Sequence, residues 1–247
     1  MVMNNLKGKV AVVTGGSGGI GSAVVKKLVE NGASVLFTYF HGEDRAHTLM
    51  ADLNNCPQVK AISADISCLS DIKNIFEVAD NEFGGVDILV NNAAQISTNM
   101  IEDITETNYN DVMDINVKGS LFCIQQAIKC LRNNGRIINI SSINTVLPEP
   151  GAALYSASKA ALEQFSCIAS KEVASRGITV NCISPGPVNT DLLVKHNPQE
   201  VLEQIAEMTP LGRVGEPEDI ADIVAFLASS DARWVTGQNI RASGGLI

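Results

Sequence analysis

Short apolar runs alternate with longer amphipathic segments along most of the chain. The six clearest runs are VAVVT at 10–14, SVLFTYF at 34–40, VKAIS at 59–63, DILVNN at 87–92, RIINIS at 136–141 and TVNCIS at 179–184, and a weaker one lies near 238–241. The six are continuously apolar rather than alternating, which is typical of strands buried on both faces. The segments that follow them favour helices at 19–31, 43–53, 70–83, about 107–132, 153–175 and 216–229.

This alternation of strand and helix predicts an α/β fold with a doubly wound parallel sheet and helices on both faces. No repeat or linker interrupts the pattern, so we expect residues 1–247 to form a single domain. Ligands bind such sheets at the carboxyl ends of the strands. The polar residues at those ends are therefore the first candidates for function.

The composition narrows the class of protein. The chain has 247 residues, 45% of them hydrophobic, and 18 basic against 27 acidic residues, for a formal net charge of −9. The apolar content excludes disorder, and an acidic chain without a basic block is a poor partner for nucleic acid or an anionic membrane. Six scattered cysteines without a CxxC pair are typical of a reducing compartment. Since we find no signal-peptide pattern and no apolar stretch of membrane-spanning length, we expect a cytoplasmic protein.

The first predicted strand leads into a glycine-rich turn, TGGSGGIG at 14–21, which opens a helix. Glycines allow a tight turn and a close approach of the backbone to a pyrophosphate, whose charge then meets unpaired amides at the helix N-terminus. We therefore expect a dinucleotide here, and an ordinary glycine-rich connection is the alternative.

The spacing TGxxxGxG formed by Gly15, Gly19 and Gly21 resembles that of the short-chain dehydrogenase/reductase (SDR) family. Further motifs match this family in order, over nearly the whole chain: Asp65-Ile66, Asn91-Asn92-Ala93, Asn116, Ser142, Tyr155-x-x-x-Lys159 and Pro185–Thr190. The chain is most similar to the classical branch, typified by 3-oxoacyl-[acyl-carrier-protein] reductases. The resemblance implies a Rossmann-like sheet of about seven strands, a nicotinamide cofactor and a homotetramer built through the long helices and the C-terminal segment.

The resemblance also implies which residues hold the cofactor. Asp65 and Ile66 would contact the adenine, the Asn92 carbonyl a ribose, and Val188 and Thr190 the nicotinamide carboxamide. The whole expected set is Gly15, Ser17, Gly19, Ile20, Gly21, Thr38, Asp65, Ile66, Asn92, Tyr155, Lys159, Pro185, Gly186, Val188 and Thr190. Asn91 is expected to brace the sheet instead.

The end of the second strand bears on the choice between NAD and NADP. An NAD site usually places a carboxylate there, but the stretch FTYFH at 37–41 has no acid and the first one after it is Glu43. A 2′-phosphate would not be repelled, so NADP(H) is favoured over NAD(H). The family's usual basic residues are missing, because Gly18 and Phe40 occupy their positions. The remaining candidates for a phosphate contact are Ser17, Thr38, His41 and Arg45.

Tyr155 and Lys159 are four residues apart in a stretch of good helix formers, so both project from one helix face. A phenol titrates near 10, and a nearby ammonium favours its anion. We therefore expect Lys159 to lower the pKa of Tyr155, and a shift of about 3 pH units corresponds to roughly 4 kcal/mol. Tyr155 would give a proton during reduction and take one during oxidation. An exposed helix pair is the alternative reading of an isolated Tyr-x-x-x-Lys.

Two more residues complete the expected catalytic set of Asn116, Ser142, Tyr155 and Lys159. Ser142 ends the fifth predicted strand, where its hydroxyl would bind the substrate oxygen. Its neighbour Ser141 is the rival and would face the other way, and the resemblance to the SDR family selects Ser142 by its spacing from Tyr155. Asparagine is a poor helix former, and the resemblance has Asn116 disrupt its helix and hold a water that relays protons through Lys159.

Other segments bear on how the substrate enters and on which proteins the chain binds. Residues 188–215, with an amphipathic piece at 200–208, are expected to form a lid, and substrate choice would lie there and in 94–104 and 143–154. His41, His47 and His196 lack ligand spacing, so no metal site is expected. Lys129, Arg132, Lys171 and Arg176 are candidates for a basic patch that docks an acidic carrier protein.

The chain is thus predicted to be an NADP(H)-dependent oxidoreductase that reduces a ketone or a 3-oxoacyl thioester. One alternative is an NAD-dependent dehydrogenase of a sugar, polyol or hydroxysteroid alcohol. A cofactor-binding regulatory module is the non-enzymatic alternative, although such a module would tolerate loss of the catalytic set. An epimerase or dehydratase of the extended SDR branch is disfavoured, since 247 residues leave no room for its substrate domain.

Overall fold

Seven parallel strands form one sheet in the order β3-β2-β1-β4-β5-β6-β7. The structure is a computed structural model that describes residues 6–247, apart from the side chains of Leu192, Lys195 and His196. The strands are β1 Val10–Val13, β2 Ser34–Tyr39, β3 Val59–Ser63, β4 Val86–Asn91, β5 Leu131–Ile140, β6 Thr179–Pro185 and β7 Asn239–Ala242. The predicted α/β class and the parallel sheet are confirmed.

Helices cover both faces of the sheet. Their bounds are α1 Gly19–Glu30, α2 Glu43–Asp52, α3 Leu69–Phe83, α4 Glu106–Met113, α5 Ser120–Cys130, α6 Ala153–Glu172, α7 Asp191–His196, α8 Gln199–Met208 and α9 Pro217–Ala228. Side chains of α1, α2 and α9 fill one core, and those of α3, α5 and α6 fill the other. In the part of the chain described, no helix combines the length and apolarity needed to cross a bilayer.

The unbroken apolar runs follow from this two-sided burial. In β1, Val13 packs into the core under α1 and α9, while its neighbour Val12 packs into the core under α3 and α5. Phe37 and Leu36 divide in the same way in β2. The strand order reverses direction between β1 and β4, so a crevice forms at their carboxyl ends.

Two segments differ from the sequence prediction. The helix expected at 107–132 is divided into α4 and α5 by a π-helical turn at Asp114–Gly119. Gly119 allows this turn to approach the third strand's exit closely, because a Cβ there would lie 2.6 Å from the carbonyl oxygen of Ile66. The segment 188–215 contains two helices, α7 and α8, rather than one short helix.

Candidate active site

A cavity of about 480 Å³ opens at the carboxyl end of the sheet, between the glycine turn and the start of α6. Twelve of the predicted site residues line it: Gly15, Ser17, Gly19, Ile20, Gly21, Thr38, Asp65, Ile66, Asn92, Tyr155, Lys159 and Thr190. Five others do not: Asn116, Ser142, Pro185, Gly186 and Val188. Val188 points into the core beside β6, which is why it is absent from the lining. The described structure thus brings the glycine turn and the Tyr155–Lys159 pair to one cavity.

The glycines of the turn are required by close packing. Gly15 has φ +63°, and a Cβ on it would lie 2.9 Å from Ala93 Cα. A Cβ on Gly19 would lie 2.6 Å from Thr190 Cγ2, and one on Gly21 would overlap the Gly15 carbonyl oxygen. No side chain caps α1, so its first amides face the cavity without an acceptor among the described residues. Such a cradle fits the pyrophosphate of a dinucleotide.

Hydrogen bonds hold this turn to the neighbouring strands. The Gly15 amide donates to Thr38 Oγ1 at 3.2 Å. Asn92 Nδ2 donates to the carbonyl oxygens of Thr14 and Gly15, at 3.1 and 3.0 Å. The Asn92 side chain therefore fixes the turn, while its backbone remains for the predicted ribose contact. Asn91 braces the sheet as expected, because its Nδ2 donates to Asn139 Oδ1 on β5 at 2.8 Å.

The cavity wall beyond β2 carries one cation and no carboxylate at the strand's end. Arg45 lines the cavity, and among the described residues its guanidinium has neither a salt bridge nor a hydrogen bond. A Cβ on Gly42 would lie 2.7 Å from Ser17 Oγ and 2.8 Å from Arg45 Nη2, so both groups meet across this glycine. His41 is exposed and stacks at a tilt on Phe40, with ring centroids 4.2 Å apart.

Other expected cofactor residues have local roles of their own. Asp65 Oδ1 accepts a hydrogen bond from the Ser67 amide at 2.8 Å, which closes the turn after β3. Thr190 accepts from the Leu193 amide and caps α7. The Gly186 amide donates to the Ala242 carbonyl at 2.8 Å, tying the end of β6 to β7. These bonds position the loops around the cavity.

Tyr155 and Lys159 lie near the beginning of α6, and both line the cavity. Lys159 is only 3% exposed. Its Nζ donates to the Ile140 carbonyl at the end of β5 over 2.8 Å, and lies 5.6 Å from the centroid of the Tyr155 ring. The strand end thus fixes the ammonium beside the phenol, on the helix face that the spacing predicts.

The pKa values correct one expectation. Burial raises the pKa of Tyr155 above its ordinary value, and a hydrogen bond with the Ser142 hydroxyl only partly offsets this rise. Burial also lowers the pKa of Lys159 to about 8. The expected lowering of the Tyr155 pKa is therefore wrong for the protein alone, because desolvation of the buried phenol is the largest influence on it. A phenol that stays protonated near neutral pH is suited to donating a proton.

Asn116 lies within the π-helical turn, so the predicted break in the helix is found. Its Nδ2 donates to the Gln95 carbonyl at 2.8 Å and to Ser158 Oγ at 3.0 Å, while its Oδ1 accepts from the Gln95 amide at 2.7 Å. Both amide hydrogens are used, so the side chain clamps the loop after β4 to α6. The water relay from Asn116 to Lys159 stays a prediction.

Ser142 and Ser141 face in different directions at the end of β5, as expected. Ser142 Oγ accepts from the Asn144 amide at 3.2 Å and lies 3.4 Å from Asn144 Oδ1, and its hydroxyl acts to lower the pKa of Tyr155. Ser141 Oγ donates to Glu163 Oε1 at 2.6 Å. The hydroxyl that can meet a substrate oxygen beside the phenol is therefore that of Ser142.

Glu163 is an organising residue that the sequence analysis missed. Its Oε1 accepts hydrogen bonds from the hydroxyls of Ser141, Thr145 and Ser184, at 2.6, 2.9 and 3.3 Å. The carboxylate thereby joins α6 to the ends of β5 and β6. The spacing of four residues that pairs Tyr155 with Lys159 continues to Glu163, and that signal would have found it.

The candidate basic patch lies at the edge of the sheet opposite the cavity of its own chain. Arg132 donates to Asp87 Oδ2 at 2.9 Å and to the Gly84 carbonyl, where β4 and β5 begin. Arg176 donates to the carbonyls of Ile128 and Leu131, near the same edge. These arginines stabilise loops at the end of the strands opposite the cavity, and the docking of a carrier protein on this patch stays a prediction. Lys129 and Lys171 also lie toward this edge, at the C-terminal ends of α5 and α6.

The histidines show no grouping. His47 is an exposed residue of α2, His41 lies at the cavity rim, and the side chain of His196 is outside the described residues. Within the residues described, no group of His, Cys, Asp or Glu side chains is arranged to hold a metal ion.

Known proteins resemble the chain over its whole length. A sequence model of the family described as Enoyl-(Acyl carrier protein) reductase matches residues 15–247. An uncharacterised oxidoreductase of Methylorubrum extorquens is 43% identical, with 99% of this chain and 100% of the relative covered. A 3-oxoacyl-[acyl-carrier-protein] reductase of Staphylococcus epidermidis is 37% identical, with 96% and 98% covered.

A solved structure shares the fold. A blue fluorescent protein from a metagenomic library, in complex with NADPH, superposes with a TM-score of 0.92 at 37% identity, covering 98% of this chain and 99% of that one. Together with the glycine turn and the Tyr155–Lys159 pair, these matches identify the chain as an oxidoreductase that belongs to the short-chain dehydrogenase/reductase family.

Proposed function

We propose that this chain is an NADP(H)-dependent reductase of a ketone or a 3-oxoacyl thioester. The observation that carries the proposal is the meeting of the glycine cradle with Tyr155 and Lys159 in one cavity. The relative of Staphylococcus epidermidis that is named a 3-oxoacyl reductase supports carbonyl reduction. A regulatory module would not need a buried ammonium beside a phenol.

The residues divide the chemistry between them. When bound, the nicotinamide cofactor supplies the hydride that reaches the carbonyl carbon. Tyr155 donates its phenolic proton to the oxygen, and the Ser142 hydroxyl stabilises the charge that develops there. Lys159, held by the Ile140 carbonyl, keeps a positive charge beside the phenol. Asn116 holds the loop after β4 against α6 and so acts as a positioning residue.

The test of this function is turnover of a panel of 3-oxoacyl thioesters, diketones and sugar alcohols, monitored at the nicotinamide absorbance. We expect reduction of carbonyl compounds with NADPH. Oxidation of sugar or polyol substrates with NAD⁺ alone would favour the dehydrogenase alternative. Cofactor binding without turnover of any substrate would favour the regulatory module.

Arg45 supports the preference for NADP(H). It is the cation that faces the cavity near the end of β2, with no partner in the part of the chain that the structure describes. Ser17 and Thr38 add hydroxyls close to it. A 2′-phosphate would meet these groups without opposition from a carboxylate at the strand's end.

Replacing Arg45 by Ala is expected to raise the KM for NADPH roughly tenfold to a hundredfold, because a hydrogen bond to a charged group is lost. The KM for NADH should change little, since NADH has no 2′-phosphate. Initial rates with each cofactor check this, and Arg233→Ala, an exposed arginine after α9, is the control. Equal effects of Arg45→Ala on both cofactors would show that Arg45 does not recognise the phosphate.

The proposal extends to the whole chain and its assembly. Residues 1–247 form one catalytic domain, in which 188–215 acts as a lid, and the enzyme works as a cytoplasmic homotetramer. Support for assembly comes from α6, which leaves Ala157, Ala160, Gln164 and Ile168 exposed along one face. Trp234, 96% exposed, offers a second apolar surface. A tetramer with two kinds of two-fold interface needs two such surfaces.

Replacing Ile168 by Glu is expected to lower the mass of the assembly from four chains to two or one, because a charge would enter an apolar contact between helices. Size-exclusion chromatography with light scattering measures this mass. Ala51→Glu places the same charge on an exposed position of α2 and should leave the mass unchanged. A wild-type monomer would contradict the assembly, while leaving the proposed reaction intact.

A further inference from the structure

A second cavity, of about 580 Å³, adjoins the start of α6. Its wall is made by 100–102 from the loop after β4, by 148–153 from the loop after β5, and by Ser156. The two loops touch, since a Cβ on Gly151 would lie 3.5 Å from the carbonyl oxygen of Thr98. Ser156 follows Tyr155 in α6, so the two cavities are lined by neighbouring residues of one helix, Ser156 in the side cavity and Tyr155 in the first.

The lining of the side cavity is mostly apolar. Met100 and Ile101 are 51% and 77% exposed, and Pro148, Pro150 and two alanines complete the wall. Large apolar side chains that remain this exposed around a concave surface are typical of a binding site. The volume is within the range that takes a drug-sized ligand. An apolar chain on the ligand would cover these side chains and gain about 25 cal/mol for each Å² removed from water.

Both charged residues that line the side cavity are acidic. Glu102 lies on one loop and Glu149 on the other, and both are exposed at the rim. Neither carboxylate takes part in a salt bridge or a side-chain hydrogen bond within the described chain. The segments 94–104 and 143–154 contain no Lys, Arg or His to balance them. An anion entering between the loops would therefore meet two unpaired negative charges.

The hydroxyl of Ser156, in the wall of the side cavity, lacks a hydrogen-bond partner among the described residues. Its Oγ is buried. A buried hydroxyl normally finds a partner, because leaving it unpaired costs free energy. After rotation of the Ser156 side chain toward the cavity, an uncharged oxygen of the ligand, such as that of an ester, would satisfy it.

We propose that the side cavity takes an apolar, uncharged portion of the carbonyl substrate, and that Glu102 and Glu149 exclude substrates with a carboxylate or phosphate close to the reacting carbonyl. This inference rests on the proposed function and narrows its substrate class. The ligands that fit are neutral ketones, diketones and esters of oxo acids with an alkyl chain. The two glutamates are specificity-determining residues, and the chemistry remains with Tyr155.

The test compares ethyl 3-oxohexanoate with freshly prepared 3-oxohexanoate, which carry the same reacting carbonyl but differ in charge. With the wild-type enzyme and NADPH at low salt, we expect kcat/KM for the ester to exceed that for the carboxylate by about tenfold or more. The ratio should fall at high salt, because exposed charges are screened. The double variant Glu102→Gln, Glu149→Gln should reduce the ratio about tenfold by raising kcat/KM for the carboxylate.

A matched control removes the same number of charges elsewhere. Glu30→Gln with Glu77→Gln changes exposed residues of α1 and α3, far from the side cavity, and should leave the ratio as in the wild type. A wild-type ratio near one, or a ratio that the Glu102/Glu149 variant leaves unchanged, would overturn the charge selection while reduction of the ester still upholds the proposed function. Failure to reduce either compound, or any other carbonyl of the panel, would overturn both.

Discussion

Replacing Tyr155 by Phe is expected to lower kcat about 10²- to 10⁴-fold, the usual contribution of a positioned proton donor. The change removes only the hydroxyl, so the ring continues to fill its place between Lys159 and the cavity. The cofactor should bind nearly as before, since the glycine turn and the residues beyond β2 are untouched. Stopped-flow or steady-state rates give kcat, and fluorescence titration of NADPH gives the Kd.

Tyr109→Phe is the matched control, because Tyr109 is an exposed residue of α4. It should retain the wild-type kcat.

The wild-type enzyme should also reduce carbonyls steadily near neutral pH, since burial raises the pKa of Tyr155 and keeps the phenol protonated. Oxidation of an alcohol requires the deprotonated phenol and should accelerate as the pH rises. Activity retained in Tyr155→Phe would remove this residue from the chemistry.

Replacing Lys159 by Met is expected to change how stability depends on pH. Burial lowers the pKa of Lys159 from 10.5 to about 8, so below pH 8 the folded protein keeps a buried ammonium at a cost in free energy. Between pH 8 and 10.5 the folded protein releases this proton while the unfolded chain still binds it. The wild type should therefore gain stability relative to Lys159→Met as the pH rises, by about 3 kcal/mol over the whole span.

Urea unfolding of both proteins at pH 7, 8, 9 and 10 measures this difference. The comparison is between pH values, so the constant loss from the unpaired Ile140 carbonyl in the variant does not enter. Lys171→Met, which changes an exposed lysine of the same helix, should run parallel to the wild type. If the free energy of unfolding of Lys159→Met also ran parallel to that of the wild type across these pH values, burial would not lower the pKa of Lys159. Turnover should be lost in Lys159→Met and kept in Lys171→Met.

Much of the fold was open to prediction because its determinants are local. Val12 and Val13 are both apolar since each faces a different core, and the same reasoning holds for each continuous run. The glycine turn could be predicted equally well, because a Cβ on Gly15 or on Gly21 would collide with a neighbouring atom. Spacing also placed Tyr155 and Lys159 on one helix face.

What could not be predicted depends on distant partners. A break in the helix at Asn116 was expected, but its π-helical form was not, because Asn116 is held by Gln95 and Gly119 packs against Ile66, and neither pair is close in sequence. The direction of the Tyr155 pKa shift depends on how completely the fold surrounds the phenol. The position of the basic patch has the same origin, since charge clustering in the sequence does not tell which edge of the sheet Arg132 and Arg176 reach.

The contacts of Glu163 divide the loop after β5 into two parts, one that positions Ser142 and one that lines the side cavity. Thr145 is the last residue of the loop after β5 that this carboxylate holds, and the single hydroxyl proton of Thr145 is shared between Glu163 Oε1 at 2.9 Å and the Ser142 carbonyl at 3.0 Å. The stretch that walls the side cavity begins only after that anchor. Substitutions after Thr145 can therefore change which substrates enter the side cavity, while Ser142 keeps its position. Relatives with the same catalytic residues can thus differ in substrate range.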